Sequence, residues 1–364
     1  MSPLSIGVMH IVDTLDAGGA ERMAVSLANH LPQDRYRAFL CTTRRDGVLG
    51  SDVAPHVHRL SLGRKGRFDV GPVRALARFL RDNRVQILHA HSSSLFLAVL
   101  ASGWRNHVSV VWHDHLGRPV NTRSAVPYRI ASSRVSGVIA VNDVLAAWSR
   151  ERLHVPSDRV WYIPNFAEMR ISNGCPELPG RKGARIVHVA NLRPQKDHLT
   201  LLRAFAAVVQ RVPDAHLLLA GAAPDAVYHD FLRVQIQHLG VSGRVTMLGS
   251  RNDIPDLLAS CDIGVLSSTC EGLPVSLLEY GAAGLPAVCS AVGQCPEVLD
   301  RGAAGILFPG GDVVALADAL INLLQSPDRR SALGRCLLER VSRHYSQEGV
   351  VQQVCEIYET VLQR

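Results

Sequence analysis

At 364 residues the chain is long enough for two domains, and its 47% apolar content is typical of a globular protein with ample cores. Its apolar runs fall short of the eighteen residues that a membrane-spanning helix needs. The net charge of +7 comes from residues 1–165, where 21 basic residues outnumber 12 acidic ones, and this surplus favours an anionic ligand or membrane surface.

The N-terminus and the cysteines favour a cytoplasmic protein. MSPLSIGVMHIVD lacks the basic start and cleavage site of a signal peptide, so it predicts a first strand. The eight cysteines include no CxxC pair, and buried thiols explain them better than disulfides or zinc. Peripheral binding to the inner face of the cell membrane stays open.

Strands and helices alternate along the first half of the chain. IGVMHIVD predicts a strand, DAGGAER a turn that opens a helix, and RAFLCTT the next strand. The alternation continues through VRALARFLRDN, VQILHAH, SLFLAVLAS, VSVVWHDH, SGVIAVND and RVWYIPN. This pattern is typical of parallel βαβ units.

The pattern stops in a segment rich in glycine and proline and then starts again with RIVHVAN and HLTLLRAFAAVVQRV. We therefore predict an α/β protein with two doubly wound, Rossmann-like domains that face each other across a cleft. The predicted bounds are 1–170 for the first domain, 171–182 for a linker, 183–345 for the second domain and 346–364 for a final helix.

Two glutamates bracket a Gly-Leu-Pro turn in the second domain. Glu271 follows the strand CDIGVLSS, Pro274 suits the first position of a helix, and Glu279 lies about one turn into that helix. The helix start at Leu273 to Val275 can hold phosphate oxygens, while carboxylates can accept hydrogen bonds from hydroxyl pairs. The segment thus predicts a nucleotide-sugar site. A glycosidase-like pair is disfavoured, because its two carboxylates should flank one bond.

Two other motifs are candidates for phosphate binding. Gly18 and Gly19 follow the first strand and open a helix, although a plain tight turn is the alternative. Lys196 is one of only three lysines beside 36 arginines, and a compact point charge suits a phosphate. An ordinary surface cation is the alternative for Lys196.

Two His-x-His pairs, His89/His91 and His113/His115, end successive predicted strands. Such histidines can be hydrogen-bonded structure, metal ligands or contacts to a sugar hydroxyl. No glutamate or cysteine partner completes a metal site in the sequence, so we expect no bound metal.

Together these motifs resemble the retaining glycosyltransferases of family 4, which have the GT-B fold. In the first half the resemblance lies in GGAERMAVSLA, LHAHSS, WHDH and IPNF. In the second half it lies in NLRPQKDHLTLLRAF, the E-x7-E motif from Glu271 to Glu279, and GLPAV. The last helices resemble the segment with which the family returns to the first domain.

The resemblance implies a role for each donor-site residue. Glu279 would hold the ribose hydroxyls, Glu271 the donor sugar and Lys196 the diphosphate, with the backbone of Leu273 to Val275 nearby. Gly18 and Gly19 would approach the diphosphate from the other domain. His113 would reach the donor sugar near the reacting carbon.

The sequence departs from the family pattern at two loops. Where the family often has an arginine directly after the strand glycine, this chain has Ala190 and Asn191, and Arg193 is the nearest candidate for the phosphate contact. The glycine-rich loop after the following strand is reduced to Gly221-Ala222-Ala223.

The implied function is metal-independent transfer of a sugar, with retention, from a UDP-sugar or a GDP-sugar to a saccharide or polyprenyl-linked acceptor. The donor is a substrate, so no cofactor is expected. A nucleotide-sugar epimerase of the same fold, a metal-dependent hydrolase using the histidine pairs and a nucleic-acid-binding module are the alternatives. The last is least favoured, because the basic half lacks interleaved aromatic residues.

The segment 73–84, VRALARFLRDNR, predicts a helix with one apolar stripe and arginines on its other side. Packing of that stripe against a sheet is the ordinary interpretation. The alternative is an anionic-membrane contact that also uses Arg64, Lys65 and Arg67.

Overall fold

A computed structural model describes residues 5–16, 18–66, 69–103, 108–115, 123–166, 174 and 176–364. The chain divides into two compact units: unit 1 contains residues 1–165 and 348–364, and unit 2 contains residues 166–347. Segment 348–364 adds one arginine and three glutamates to the 21 basic and 12 acidic residues of 1–165, so unit 1 has a net charge of +7 and unit 2 of zero. Residues 171–173 and 175 of the predicted linker lie outside the described residues.

Unit 1 contains a parallel sheet of seven strands in the order β3-β2-β1-β4-β5-β6-β7. The strands are β1 (Ile6–Thr14), β2 (Tyr36–Arg45), β3 (His58–Ser61), β4 (Val85–His91), β5 (Ser109–Asp114), β6 (Gly137–Ala140) and β7 (Val160–Tyr162). The described helices of unit 1 are α1 (Gly19–His30), α2 (Val70–Asp82), α3 (Leu95–Ser102), α4 (Ala125–Ser132), α5 (Asp143–Glu151) and α13 (Gln347–Leu362).

The two faces of this sheet carry different residues, because successive side chains of a strand point to opposite faces. Met9, Leu88 and Trp112 lie in a core cluster with residues of α2, α3, α4 and α5. The alternate positions of the same three strands carry histidines, which lie against Tyr358 of α13.

Unit 2 contains a parallel sheet of six strands in the order β10-β9-β8-β11-β12-β13. The strands are β8 (Arg185–Val189), β9 (His216–Ala220), β10 (Val245–Gly249), β11 (Ile263–Leu266), β12 (Ala287–Ser290) and β13 (Ile306–Phe308). The helices are α6 (His198–Arg211), α7 (Ala226–His238), α8 (Ile254–Ala259), α9 (Val275–Ala282), α10 (Cys295–Val298), α11 (Val313–Gln325) and α12 (Pro327–His344). Two apolar clusters pack against the sheet.

The predicted α/β class with two doubly wound parallel sheets is confirmed. The sequence did not predict β3, α4, α5, α8 or α10, which are short, and β3 is exposed at the edge of its sheet. Pro274 was expected to be the first residue of a helix, but it caps α9, which begins at Val275. Within the described ranges, no helix has the length and apolar content needed to cross a membrane.

Candidate functional site

The strand order of unit 2 reverses between β8 and β11, which are paired directly. Open parallel sheets bind ligands at such a point, in the crevice beyond the carboxyl ends of the strands. Lys196 lies in the loop after β8, and Glu271 lies in the loop after β11. The structure therefore brings two predicted site residues, 75 positions apart in sequence, to one edge of the sheet.

Lys196 and Glu271 form a close ion pair. The Lys196 ammonium donates to Glu271 Oε1 over 2.5 Å, and the two side chains are 22% and 9% exposed. The Ser268 hydroxyl donates to the same carboxylate oxygen over 2.6 Å. The ammonium is thus held at the sheet edge, and the Glu271 carboxylate is held by a cation and a hydroxyl.

Further hydrogen bonds join the two loops that carry this pair. The Ser267 hydroxyl donates to the Lys196 carbonyl over 2.9 Å, and the Thr269 N–H donates to the Gln195 carbonyl over 2.9 Å. The Ser290 hydroxyl donates to the Ser268 carbonyl over 2.7 Å. Because these bonds fix the backbone on both sides, the ion pair lies on a rigid support. The serines were not identified from the sequence.

The helix α9 begins directly after Glu271 and Gly272, at Pro274 and Val275. N–H groups in the first turn of a helix lack partners within the helix and can bind an anion. Glu279 lies on α9, about one turn from its start, and is partly exposed. The start of α9 and the Glu279 carboxylate therefore flank the same loop as the ion pair.

A glycine that the sequence did not identify fixes the loop of Glu271. Gly293 has φ +54°, and a Cβ there would lie 2.2 Å from the Glu271 carbonyl oxygen. The next residue, Gln294, donates its N–H to the Gly272 carbonyl over 3.0 Å. Only glycine fits this close approach, so Gly293 positions the backbone of Glu271.

The two loops that depart from the family pattern contact each other. A Cβ at Gly221 would lie 2.0 Å from the Ala190 carbonyl oxygen, and Asn191 Oδ1 accepts from the Ala222 N–H over 3.0 Å. Gly221 is therefore required by packing against the loop after β8. Arg193 is exposed and precedes the short turn Pro194–Lys196.

In unit 1, Gly18 caps the N-terminus of α1 and Gly19 is its first residue. A Cβ at Gly18 would lie 2.1 Å from Glu21 Oε2, so the Glu21 carboxylate lies over the helix start. A phosphate at this position would have to displace that carboxylate, since both are anionic. The predicted phosphate contact of Gly18 and Gly19 stays a prediction.

Four buried histidines and one partly buried histidine cluster on the α13 side of the unit 1 sheet: His10, His89, His91 and His113 are buried, and His115 is partly buried. His10 Nδ1 lies 3.0 Å from His91 Nε2, and His91 Nδ1 lies 2.9 Å from His115 Nε2. His89 Nε2 lies 3.1 Å from His113 Nδ1. The sequence identified the two pairs but missed His10, which is hidden in the apolar strand β1.

Tyr358 of α13 joins the two branches of this cluster. Its hydroxyl lies 2.6 Å from His89 Nδ1 and 3.5 Å from His10 Nε2. The contact spans 269 residues of sequence, so neither local pattern nor spacing could predict it.

Burial keeps the five imidazoles neutral. It lowers the pKa of His10 and of His115 to about 3, and the pKa values of His89, His91 and His113 lie well below their usual range. Neighbouring imidazoles lower the pKa further in the last three. Each ring therefore has one N–H donor and one acceptor nitrogen at neutral pH.

His10 supplies a third imidazole beside His89 and His91, and a second group contains His91, His113 and His115. Three imidazoles are a suitable ligand set for a divalent transition metal. However, the cluster is already connected by hydrogen bonds, and four of its five rings are at most 2% exposed. The structure thus connects these imidazoles to one another by hydrogen bonds.

Asp114, between His113 and His115 in sequence, lies on the other face of β5. It forms a buried ion pair with Arg123 at 2.9 Å, and the Arg123 guanidinium lies 4.4 Å from the Tyr128 ring centroid and 4.3 Å from that of Trp148. The carboxylate is thus engaged away from the histidine cluster.

Comparison with known families shows two matches. Residues 17–169 match the model described as Glycosyltransferase Family 4, and residues 183–326 match the one described as Glycosyl transferases group 1. The two matched segments do not overlap and are separated by residues 170–182.

Proteins with similar sequences are also named as enzymes that act on sugars. N-acetyl-alpha-D-glucosaminyl L-malate synthase of Bacillus anthracis is 28% identical over 322 residues, covering 84% of this chain and 83% of that protein. Phosphatidyl-myo-inositol mannosyltransferase of Mycobacterium leprae is 29% identical over 295 residues, covering 78% and 76%.

Among solved structures, Anabaena HepE in complex with UDP and glucose has a TM-score of 0.82 at 21% identity, covering 97% of this chain and 99% of that one. Sucrose-phosphate synthase of Thermosynechococcus elongatus has a TM-score of 0.79 at 19% identity, covering 98% and 99%. These structures share the GT-B fold predicted for this chain.

Proposed function

The chain belongs to the family 4 glycosyltransferases, which use nucleotide-sugar donors. From that premise we propose that it transfers the sugar of a UDP-sugar, with retention, to a hydroxyl of a saccharide or lipid-linked acceptor. The observation that carries the proposal is the Lys196–Glu271 ion pair beside the start of α9. A GDP-sugar is the second candidate donor.

The ion pair supports a role in stabilising the leaving group. Negative charge grows on the diphosphate as the glycosidic bond breaks, and a preorganised cation at a partly buried position stabilises that charge most in the transition state. Lys196 supplies this cation, and the first turn of α9 supplies N–H donors. Such a clamp needs no metal, so we propose a metal-independent reaction.

The hydrogen bonds to the Glu271 carboxylate support retention of the anomeric configuration. Its Oε1 accepts from Lys196 and from Ser268, which restrains the carboxylate as a hydrogen-bond acceptor for the donor sugar. A carboxylate held this way is a weaker nucleophile than a free one. Attack by the acceptor on the face from which the diphosphate departs gives retention without a protein nucleophile.

The names of similar proteins support these donor and acceptor classes. HepE has been crystallised with UDP-glucose, whereas one mycobacterial relative is named as GDP-mannose-dependent. The names of other relatives specify L-malate and phosphatidyl-myo-inositol, which are hydroxyl-bearing molecules. A UDP-sugar donor and a hydroxyl acceptor are the choices these names favour.

A cavity in unit 1 supports placing the acceptor there. Its volume is about 350 Å³, and its polar lining comes from Thr42 of β2, Asp46 just after β2, and Arg59 and Ser61 of β3. Three leucines line the remainder. This mixture suits a saccharide, which presents hydroxyls on its rim and C–H groups on its ring faces.

We also propose a cytoplasmic protein that binds the inner membrane face peripherally through unit 1. The outward side of α2 carries Arg74, Arg78 and Arg81, while its apolar stripe is used in the core. On the same side of the sheet, Leu100, Val126 and Ile130 of α3 and α4 are 62%, 64% and 69% exposed, respectively. Basic and apolar side chains together favour an anionic lipid surface. Arg67 lies outside the described residues.

The function is tested by titrating UDP and GDP separately in a calorimeter, followed by product analysis with the matching nucleotide sugars. The proposal predicts tighter binding of UDP and a product that keeps the donor's anomeric configuration. Isomerised donor formed without acceptor would instead indicate an epimerase. Loss of activity in EDTA, restored by zinc, would indicate metal chemistry at the histidine cluster.

A further inference from the structure

Tyr358, His89 and His113 form a hydrogen-bonded chain within unit 1. The Tyr358 hydroxyl lies 2.6 Å from His89 Nδ1, and His89 Nε2 lies 3.1 Å from His113 Nδ1. We infer that Tyr358, acting through His89, holds His113 in the tautomer with its proton on Nε2, so that His113 presents a hydrogen-bond donor to a substrate oxygen. Only the identity of that substrate, a sugar, rests on the proposed function.

The length of the first bond indicates which group donates. An N–H···O bond is usually about 2.9–3.0 Å long, whereas bonds donated by a hydroxyl are shorter. At 2.6 Å the contact fits a bond that the phenol O–H donates to His89 Nδ1. Burial raises the pKa of Tyr358 well above its usual range, so the phenol keeps the proton it donates.

The direction of this bond sets the tautomers of both imidazoles. A neutral imidazole has one N–H and one lone pair. Because His89 Nδ1 accepts, the proton of His89 is on Nε2 and is donated to His113 Nδ1. By the same rule, the proton of His113 is on Nε2. Burial lowers the pKa of both rings, which keeps them neutral.

In the other branch of the cluster, formed by His10, His91 and His115, the hydrogen bonds can be donated in a consistent direction toward Tyr358. With Tyr358 donating to His89, its oxygen can accept from His10 Nε2 at 3.5 Å. His10 Nδ1 then accepts from His91 Nε2 at 3.0 Å, and His91 Nδ1 accepts from His115 Nε2 at 2.9 Å. Tyr358, His89, His10 and His91 each donate one hydrogen bond and accept one, whereas within the cluster His113 only accepts and His115 only donates, so the five bonds are mutually consistent.

The Nε2 atom of His113 is the end of this chain. It is buried and has no hydrogen-bond partner within the described part of the chain. A buried N–H without a partner is unfavourable, so a ligand oxygen at this point is favoured. A sugar hydroxyl satisfies the donor, whereas a deoxygenated position leaves it unpaired and is disfavoured.

Nitrogen NMR of the full-length protein labelled at histidine measures the tautomer directly. The His113 signals are assigned by their loss in His113→Gln. The inference predicts a protonated Nε2 and an unprotonated Nδ1 for His113 in the parent protein. An unprotonated Nε2 on His113 would overturn it, whatever the activity.

Two variants separate the relay from packing. Tyr358→Phe keeps the ring and removes the donor, so His113 should become a mixture of tautomers. Tyr36→Phe is the matched control, because its ring packs against Tyr358 with centroids 6.0 Å apart but Tyr36 is outside the relay. Tyr36→Phe should leave the His113 signals unchanged. Unchanged signals in Tyr358→Phe would contradict the relay.

Kinetics give an independent readout. Tyr358→Phe should lower kcat/KM about threefold to tenfold, as expected for one lost hydrogen bond. In a His113→Gln background the same change should have no further effect, because the glutamine amide donates without the relay. Additive losses would contradict the inference. A parent protein that transfers no sugar would contradict the proposed function instead, while the NMR result would still decide the tautomer.

Discussion

Mild acid should destabilise unit 1 strongly, because unit 1 holds five neutral imidazoles, of which four are buried and that of His115 is partly buried. Their pKa is about 6.5 in the unfolded chain, and burial lowers it to about 3 for His10 and His115 and far below 6.5 for the other three. Below about pH 6.5 the unfolded chain binds protons that the folded unit does not. These rings therefore do not reduce the free energy of unfolding above about pH 6.5, and they reduce it progressively as the pH falls below that value.

The size of the effect follows from the number of rings. Between about pH 7.5 and pH 5.5, each imidazole that stays neutral in the folded state lowers the free energy of unfolding by about 1.4 kcal/mol. Five such rings lower it by about 7 kcal/mol, which is comparable to the whole stability of many proteins, about 5–15 kcal/mol. Unit 2 has three buried histidines with lowered pKa values: the pKa is about 4 for His188 and about 2 for His198, and it is also lowered for His216. They predict a smaller loss there.

Tryptophan fluorescence can follow unit 1 by itself, because all four tryptophans of the chain, Trp104, Trp112, Trp148 and Trp161, lie within residues 1–165. Urea unfolding monitored by this signal at the two pH values gives the change in free energy. A free energy of unfolding that is equal at pH 7.5 and pH 5.5 would refute the argument.

A pair of variants makes the assay specific to the cluster. His10→Gln removes one buried imidazole and should lower the number of protons taken up on unfolding by about one. Ser94→Ala is the matched control, since it also changes a buried polar side chain of unit 1 but one that does not titrate, and it should leave the proton uptake unchanged. Equal proton uptake in both variants would show that His10 is not held neutral.

The remaining predictions concern the donor site and the membrane. Lys196→Ala should lower kcat about a hundredfold, whereas the exposed control Lys182→Gln should leave kcat unchanged. If Lys196→Ala turns over at a rate close to that of the parent, Lys196 is not the cation that stabilises the leaving group. Glu279→Ala should weaken nucleotide binding in a calorimetric titration more than it slows the bound reaction, and an unchanged affinity would refute the ribose contact. Replacing Arg64 and Lys65 by glutamate should reduce sedimentation with anionic vesicles at low salt while leaving donor affinity intact; failure of the parent to sediment would favour a soluble acceptor.

The sequence predicts most of this fold because apolar strands and helices alternate with clear turns between them. It also identifies Lys196 and Glu271, because each follows the carboxyl end of a strand and carries a charge at an expected ligand crevice. The predicted roles of these residues toward a donor stay predictions.

What the sequence could not predict depends on contacts between distant segments. The Lys196–Glu271 ion pair spans 75 residues, and the Tyr358–His89 bond spans 269. His10 lies within an apolar strand, and only its register opposite His89 on β4 reveals the cluster. The need for glycine at position 293 becomes visible only in the structure, where the Glu271 carbonyl lies too close to allow a Cβ.

We expect a nucleotide sugar to react at the Lys196–Glu271 pair. This expectation is tested most directly by measuring acceptor-dependent release of nucleoside diphosphate from UDP-sugars and GDP-sugars, with sugar and lipid-linked sugar acceptors. The parent and Glu297→Gln, whose carboxylate is exposed, should release nucleoside diphosphate, whereas Glu271→Gln should not. Equal activity of the two variants, or no acceptor-dependent release by the parent, would contradict it.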